Sequence, residues 1–231
     1  MRLVVAIGAV AVGFGVAYAF HGALLDLLNA PLPAAHRHPV TFGVAEPFLT
    51  SVKVSLFAGF LLAFPIVAWQ MWGFVAPALK PHVQRAVASL TGAATILAVG
   101  GITFGYVVAL PASLKFLTQY DSSHYNIQIR AQDYYSFALT VLLAVAVVFE
   151  LPVFLIGLVR LGVLSSAKLR RNRRIGYVAV AALAVALPGV DPVTTGIEML
   201  PLMVLFEGSI WAAVFFEKRW ATGSLAVDTT A

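Results

Sequence analysis

Six apolar stretches, almost free of charge, occupy residues 3–20, 54–74, 86–110, 137–159, 175–187 and 196–216. A helix needs about 18–20 such residues to cross a hydrocarbon core ~30 Å thick, and lipid offers no partner to an unpaired backbone N–H or C=O. The stretches therefore predict an all-α, polytopic membrane protein with six transmembrane helices. The balance of residues agrees: 61% are hydrophobic and 11% charged, where soluble domains run near one-half and one-quarter. This excludes a soluble enzyme, a disordered chain and, with no cysteine, a secreted disulfide module. The fifth stretch has 13 residues, only ~20 Å of helix, so it spans by local thinning or by sheltering among its neighbours. The sixth carries Glu198, Pro201 and Glu207, which keeps its first turns away from lipid. We expect one transmembrane domain over 1–220, with short fifth and sixth helices, and a disordered cytoplasmic tail over 221–231.

An even number of spans puts both termini on one side. Arg2, Lys80, Arg85, Arg160, Lys168, Arg170, Arg171, Arg173, Arg174, Lys218 and Arg219 fall on that side, eleven of the fifteen basic residues. The positive-inside rule makes it cytoplasmic. The cluster Lys168-x-Arg-Arg-x-Arg-Arg174 reads as a topology anchor that touches anionic lipid, and the net charge of +5 therefore argues for no nucleic-acid partner. The first stretch also has the outline of a cleavable leader, with Arg2 ahead of it and Ala17-Tyr18-Ala19 as a small-residue cue; its removal leaves an odd number of spans. On the outer side, His21 to Lys53 reads as an interfacial turn followed by a proline bend. Tyr134 and Tyr135 stand where an aromatic belt begins the fourth helix.

Glu150 is the sharpest chemical feature. It sits mid-stretch in Val147-Val-Phe-Glu150-Leu-Pro152, where a charge costs ~2.5–3.5 kcal/mol on insertion scales. Pro152 has no N–H to give the Val148 carbonyl. The carboxyl is either a buried, hydrogen-bonded group or a polar spot in a groove that receives a guest polypeptide. Glu207 is a second buried-carboxyl candidate, and Glu198 is expected to be interfacial. All five histidines fall in loops, and no stretch contains an aspartate. No nucleophile–base pair, P-loop or zinc motif occurs, so no enzyme, cofactor or metal is expected. A transporter that relays protons through Glu150 and Glu207 is the alternative, weakened by the absence of a visible repeat.

Several motifs in series resemble a known family. Glu46-Pro-Phe-Leu49, Lys53-Val-Ser-Leu56, Phe64-Pro65, Trp69-Gln70-Met71-Trp72 and Phe74-Val-Ala-Pro-Ala-Leu79 are similar to the signature of TatC, the multi-span subunit of the twin-arginine protein translocase. Phe149-Glu150-Leu-Pro152, Leu169-Arg-Arg171, Pro188-x-x-Asp191 and Pro201…Leu205-Phe206-Glu207 follow in order. The resemblance implies a concave six-helix receptor for the twin-arginine signal peptides of folded cargo. It implies residence in the prokaryotic cytoplasmic (inner) membrane, use of the proton-motive force, and assembly with TatA-like and TatB-like single-span proteins and membrane lipids into a hetero-oligomer. It places Glu150, Pro77, Leu79, Gln84 and Arg85 on the signal-peptide or concave face. It places Asp191, Thr195 and Glu207 where partner spans dock, Thr195 standing where the family more often has Gln. Pro47, Phe48, Pro65, Gln70, Trp72 and Pro152 become structural motif residues.

Two departures bear on function. Only Met1-Arg2 precedes the first stretch, where the family carries a helix with a Leu-x-Glu-Leu-Arg-type motif, and Val83 stands where the first cytoplasmic loop usually has a Glu. Guanidinium groups seek carboxylates, yet the cytoplasmic side holds only Glu217 and Asp228. Either the reading frame starts upstream, or this is a divergent copy that binds signals through its apolar groove or depends on a second TatC-like chain.

Overall fold

The computed structural model describes residues 1–33, 36–75, 87–120, 124, 127–160, 163–186 and 192–228. We number its helices α1 (Arg2–Ala19), α2 (His21–Asn29), α3 (Glu46–Val75), α4 (Val87–Phe104), α5 (Leu110–Gln119), α6 (Ala131–Phe149), α7 (Leu151–Arg160), α8 (Ser166–Arg171), α9 (Arg173–Ala186) and α10 (Pro192–Asp228). Five passes are long and apolar enough to cross a membrane: Arg2–Ala19, Glu46–Gly73, Ser89–Gln119, Ala131–Arg160 and Thr195–Glu217. The sixth pass is α9. Its 14 residues give ~21 Å at 1.5 Å per residue, as the short fifth stretch leads one to expect. α10 runs from Pro192 to Asp228.

The passes form an open row. α1 lies at one edge against α3, which packs in turn on α4 and α6. α7 bridges to α10, and α9 closes the far edge against α10. Glycine sets the two edge contacts. At α1–α3, a Cβ on Gly59 would lie 2.4 Å from the Phe14 backbone nitrogen, and one on Gly13 2.4 Å from the Gly59 carbonyl oxygen. At α9–α10 the Phe206 ring lies directly over Gly176. These helices approach as closely as their backbones allow, which is how packing substitutes for a hydrophobic drive inside lipid.

Two passes change pitch within the membrane. The third stretch does not stop at Leu110. Gly105–Ala109 forms a π turn, with the Leu110 amide reaching back to the Gly105 carbonyl, and α5 continues to Gln119. Pro111 cannot donate to a preceding carbonyl, and the widened turn before it accommodates that loss. The fourth stretch breaks at Glu150, between α6 and α7.

The face carrying the His21–Glu46 and Tyr120–Arg130 connections is tied by long-range hydrogen bonds. Tyr106 Oη donates to the Leu27 carbonyl at 2.7 Å and Tyr135 Oη to Asn29 Oδ1 at 2.9 Å, while Tyr134 Oη donates to the Leu28 carbonyl. The residues expected to start an aromatic belt are thus buried. Their rings join the core around Leu28, Leu110 and Leu142, and their hydroxyls donate to the end of α2, where the last carbonyls lack N–H donors from a following helical turn. Val40 pairs with Arg130 in a parallel bridge, through Val40 N to Ile129 O at 2.9 Å and Ala131 N to Val40 O at 2.8 Å. His36 Nε2 meets the Ile127 carbonyl at 3.0 Å, so this histidine serves the loop-to-loop contact.

Gly59→Ala is expected to pry α1 from α3 and cost about 1–3 kcal/mol, the usual range for overpacking. Gly15→Ala, with nothing within 4 Å of its added Cβ, should leave stability nearly unchanged. Thermal unfolding of the two variants in the same detergent checks the contrast.

Candidate functional site

Glu150 lies where the fourth pass loses its hydrogen-bond ladder. The Glu150 amide reaches Val147 O at 3.2 Å, and the chain resumes with Phe154 N to Glu150 O at 3.0 Å. Between them Pro152 contributes no N–H. The residues around the break face different neighbours. Phe149 stacks on Phe104 of α4, centroids 5.6 Å apart, and presses on Gly101. Val148 and Leu151 pack with Leu202 and Phe206 of α10. Glu150 itself shares the i, i+3, i+7 stripe of α7 with Val153 and Gly157. Val153 packs with Leu90 and Ala94 of α4, and the Trp72 ring of α3 lies against Gly157, within 2.7 Å of where a Cβ would sit. Glu150 Oε1 is buried, and among the described residues nothing donates to it. A carboxylate oxygen accepts hydrogen bonds readily, so this atom has spare capacity toward the α3–α4 side.

The other carboxylates in or beside the passes are engaged or enclosed. Glu207 accepts a hydrogen bond from Tyr177 Oη and pairs with Arg173 Nη2 at 3.4 Å, which fastens α10 to the start of α9. The expectation of a buried carboxyl there becomes a partly exposed ion pair. Glu198 is enclosed by protein, with only 2% of its surface exposed. Glu217 Oε2 accepts the Ser166 amide at 3.0 Å, while Ser165 Oγ accepts the Lys168 amide at 3.2 Å. Together they supply acceptors that the first amides of α8 lack within the helix.

The motif residues divide by role. Trp72 and Phe64 fill the α3–α4–α7 contact, Pro65 lies inside α3, and Gln70 is half-buried beside it. Pro152 is buried next to the break. Pro47 and Phe48 stand exposed in the first turn of α3, where proline's missing N–H costs nothing. Thr195 lies in the first turn of α10, twelve residues ahead of Glu207, or ~18 Å along the helix; the two do not form one cluster. Pro77, Leu79, Val83, Gln84, Arg85 and Asp191 lie outside the described residues.

Sequence reasoning missed Glu46 as an organising group. It is 4% exposed and accepts the amides of Phe42 at 3.1 Å, Gly43 at 3.2 Å and Gln132 at 2.9 Å. Arg130 Nε completes the set at 3.2 Å, its guanidinium over the Phe42 ring at 5.8 Å. One carboxylate thus serves the first turns of both α3 and α6. Its hydrogen bond raises the pKa of Arg130 above the ordinary guanidinium value. The only local signal was an acid before a proline at a helix start.

The comparisons with known proteins fit this architecture. A family model described as Sec-independent protein translocase protein (TatC) matches residues 1–201. The chain belongs to the TatC family. A Sec-independent protein translocase protein TatC of Carboxydothermus hydrogenoformans is 33% identical over 96% of this chain and 91% of its own length. One of Desulforapulum autotrophicum is 35% identical over 94% and 82%. A crystal structure of twin-arginine translocase receptor TatC in DDM superposes with a TM-score of 0.78 at 29% identity, covering 92% of this chain and 96% of that one. This TatC-family chain is a membrane-embedded component of a protein translocase, not an enzyme. The alternative of a solute transporter finds no support among these relatives.

Glu46→Ala should strip acceptors from three amides at once. Hydrogen exchange at Phe42, Gly43 and Gln132 is expected to speed up roughly tenfold or more, with a lower thermal midpoint, while amides in α9 keep their protection.

Proposed function

We propose that this chain is the receptor subunit of a twin-arginine translocase, and that it receives the apolar segment of a signal peptide along the face that presents Glu150. The carrying observation is the buried Glu150 Oε1 with no donor among the described residues, at a break in a pass that crosses the membrane. A polar group at that depth is costly unless it serves a guest or a proton, and an incoming backbone N–H or side-chain donor would satisfy it. Family membership supports the translocase frame.

The basic residues at one end, Arg2, Arg160 and Lys168 to Arg174, support a cytoplasmic placement of both termini in the prokaryotic inner membrane. Among the described residues there, the Glu217 carboxylate already caps α8 and that of Glu207 is paired with Arg173, which leaves little to attract an arginine pair. The apolar groove therefore carries more of the signal's affinity here than charge does. TatA-like and TatB-like single-span partners dock along α9 and α10. There the exposed Ile175, Val178 and Val185 of α9 and Leu200 and Val204 of α10 offer helix-packing surface around Thr195, with Asp191 beside it in sequence. In this reading Glu207 holds α9 in place for them through Arg173 and Tyr177. The assembly moves folded cargo at the expense of the proton-motive force.

Glu150→Ala should drop export of folded cargo to the background of a strain lacking this chain, with the protein present in the membrane at its normal level. A signal peptide with a photoreactive residue in its apolar segment should label α6–α7 in the parent and lose that labelling in the variant. Unchanged export and labelling would refute the role given to Glu150.

A further inference from the structure

At the basic end, α7, α9 and α10 leave a cleft of about 270 Å³. Leu151 and Leu155 of α7 form one wall, Ile175, Ala179 and Leu183 of α9 the other, and Phe206 of α10 the floor. Gly176 is the reason the cleft has a floor at all: any side chain there would collide with the Phe206 ring. Lys168 and Asn172 line the mouth. From Asn172 to Leu183 the wall runs eleven residues, ~16 Å at 1.5 Å per residue, which is half of a ~30 Å hydrocarbon core. The cleft is one leaflet deep.

Its mouth is strongly cationic. Lys168, Arg170, Arg171 and Arg174 are exposed, and none of the four pairs with a carboxylate among the described residues. Arg173 is turned inward to Glu207, and the nearby Glu217 is occupied with the Ser166 amide. An apolar slot one leaflet deep, opening beside exposed cations, matches a molecule with an anionic head and one hydrocarbon chain to bury.

We infer that the cleft holds an acyl chain of an anionic phospholipid, with the headgroup phosphate among Lys168, Arg171 and Asn172. The phosphate oxygens accept from the ammonium, the guanidinium and the Asn172 amide, and each basic group adds attraction for an anionic headgroup. The acyl chain fills a space that water would occupy only at a cost. A free anion leaves that space empty, a zwitterionic lipid gains little from the cluster, and a partner's membrane-crossing helix needs a groove through both leaflets. The site lies on the α9 side of α7 and is separate from the α3–α4 side that Glu150 shares.

The test uses the full chain, delipidated in neutral detergent and titrated with dioleoyl-phosphatidylglycerol or dioleoyl-phosphatidylcholine, with bound lipid counted by native mass spectrometry. The anionic lipid should bind saturably and more tightly. Lys168→Gln and Arg171→Gln should each weaken it roughly five-fold, Ala179→Trp should weaken it by filling the cleft, and Arg37→Gln on the opposite face should leave it unchanged. Inorganic phosphate should not displace it. An anionic lipid with a photoreactive acyl chain should label residues 175–183 of the unaltered chain, which tests the site even if Ala179→Trp does not fold. Equal binding of the two lipids, displacement by phosphate, indifference to a folded Ala179→Trp variant, or labelling confined to other segments would each overturn the assignment.

Discussion

Everything in this structure answers to one constraint: inside hydrocarbon, a polar group left without a partner has no water to turn to. The hydroxyls show the ordinary solution. Thr95, Thr103, Ser113, Thr140 and Ser209 each donate to the carbonyl four residues earlier, which hides the hydroxyl within its own helix. The backbone irregularities show a second solution. The π turn at Gly105–Ala109 passes its hydrogen bond five residues back instead of four, and Pro111 follows without leaving an orphaned pass. Ser55 Oγ, Thr91 Oγ1 and Glu150 Oε1 depart from this pattern, each buried with no hydrogen-bond partner among the described residues, and Glu150 is the acidic group of the three. It stands where Pro152 has already removed a backbone donor, so the break and the unsatisfied carboxylate oxygen coincide in a single turn.

The two ends of the row are built on opposite principles. On the loop face, long-range hydrogen bonds lock separate segments together. Glu46 gathers four donor residues from two places in the chain, and three tyrosines hold the end of α2. Buried hydrogen bonds of this kind are expensive to break one at a time, so this face is the rigid end. The described residues of the basic end show other ties. Its cations outnumber the carboxylates near them, and the principal links are the α8 cap and the Arg173–Glu207 pair. Exposed positive charge of this kind attracts anionic headgroups and biases the orientation of a chain in a membrane.

The passes were legible because each is a local property: a run of apolar residues has one outcome in lipid. Glu150 and Pro152 stood out for the same reason, as local violations of a run. The features that escaped notice depend on partners far apart in sequence. Glu46 and Arg130 are 84 positions apart, and Tyr134 is 106 from its acceptor. No periodicity marks such pairs. Tyr134 and Tyr135 also had a plausible reading as an interfacial belt, and only the placement of α2 over them turns that reading inward. The burial of Glu198, at 2% exposure, is likewise a tertiary fact that its position near the end of a run does not reveal. The π turn was invisible because Pro111 alone is equally compatible with a helix end.

The contrast between Glu150 and Glu207 shows why intramembrane carboxylates cannot be assigned a role from sequence position alone. Both sit in apolar runs and both follow a phenylalanine. Glu207 has a guanidinium and a phenol within reach, and its charge is consumed in joining two helices. Removing it would loosen α9, and any functional loss would be indirect. Glu150 differs: its neighbours in sequence make the helix contacts on either side, and its buried Oε1 has no donor among the described residues. A ligand can gain from a group whose hydrogen-bonding capacity the fold has left unused, and it gains nothing from one the fold has already saturated. On that ground Glu150, with capacity the fold has left unused, is the better candidate for a guest to meet, and Glu207, already joined to Arg173 and Tyr177, is the better candidate for holding the α9–α10 edge in shape.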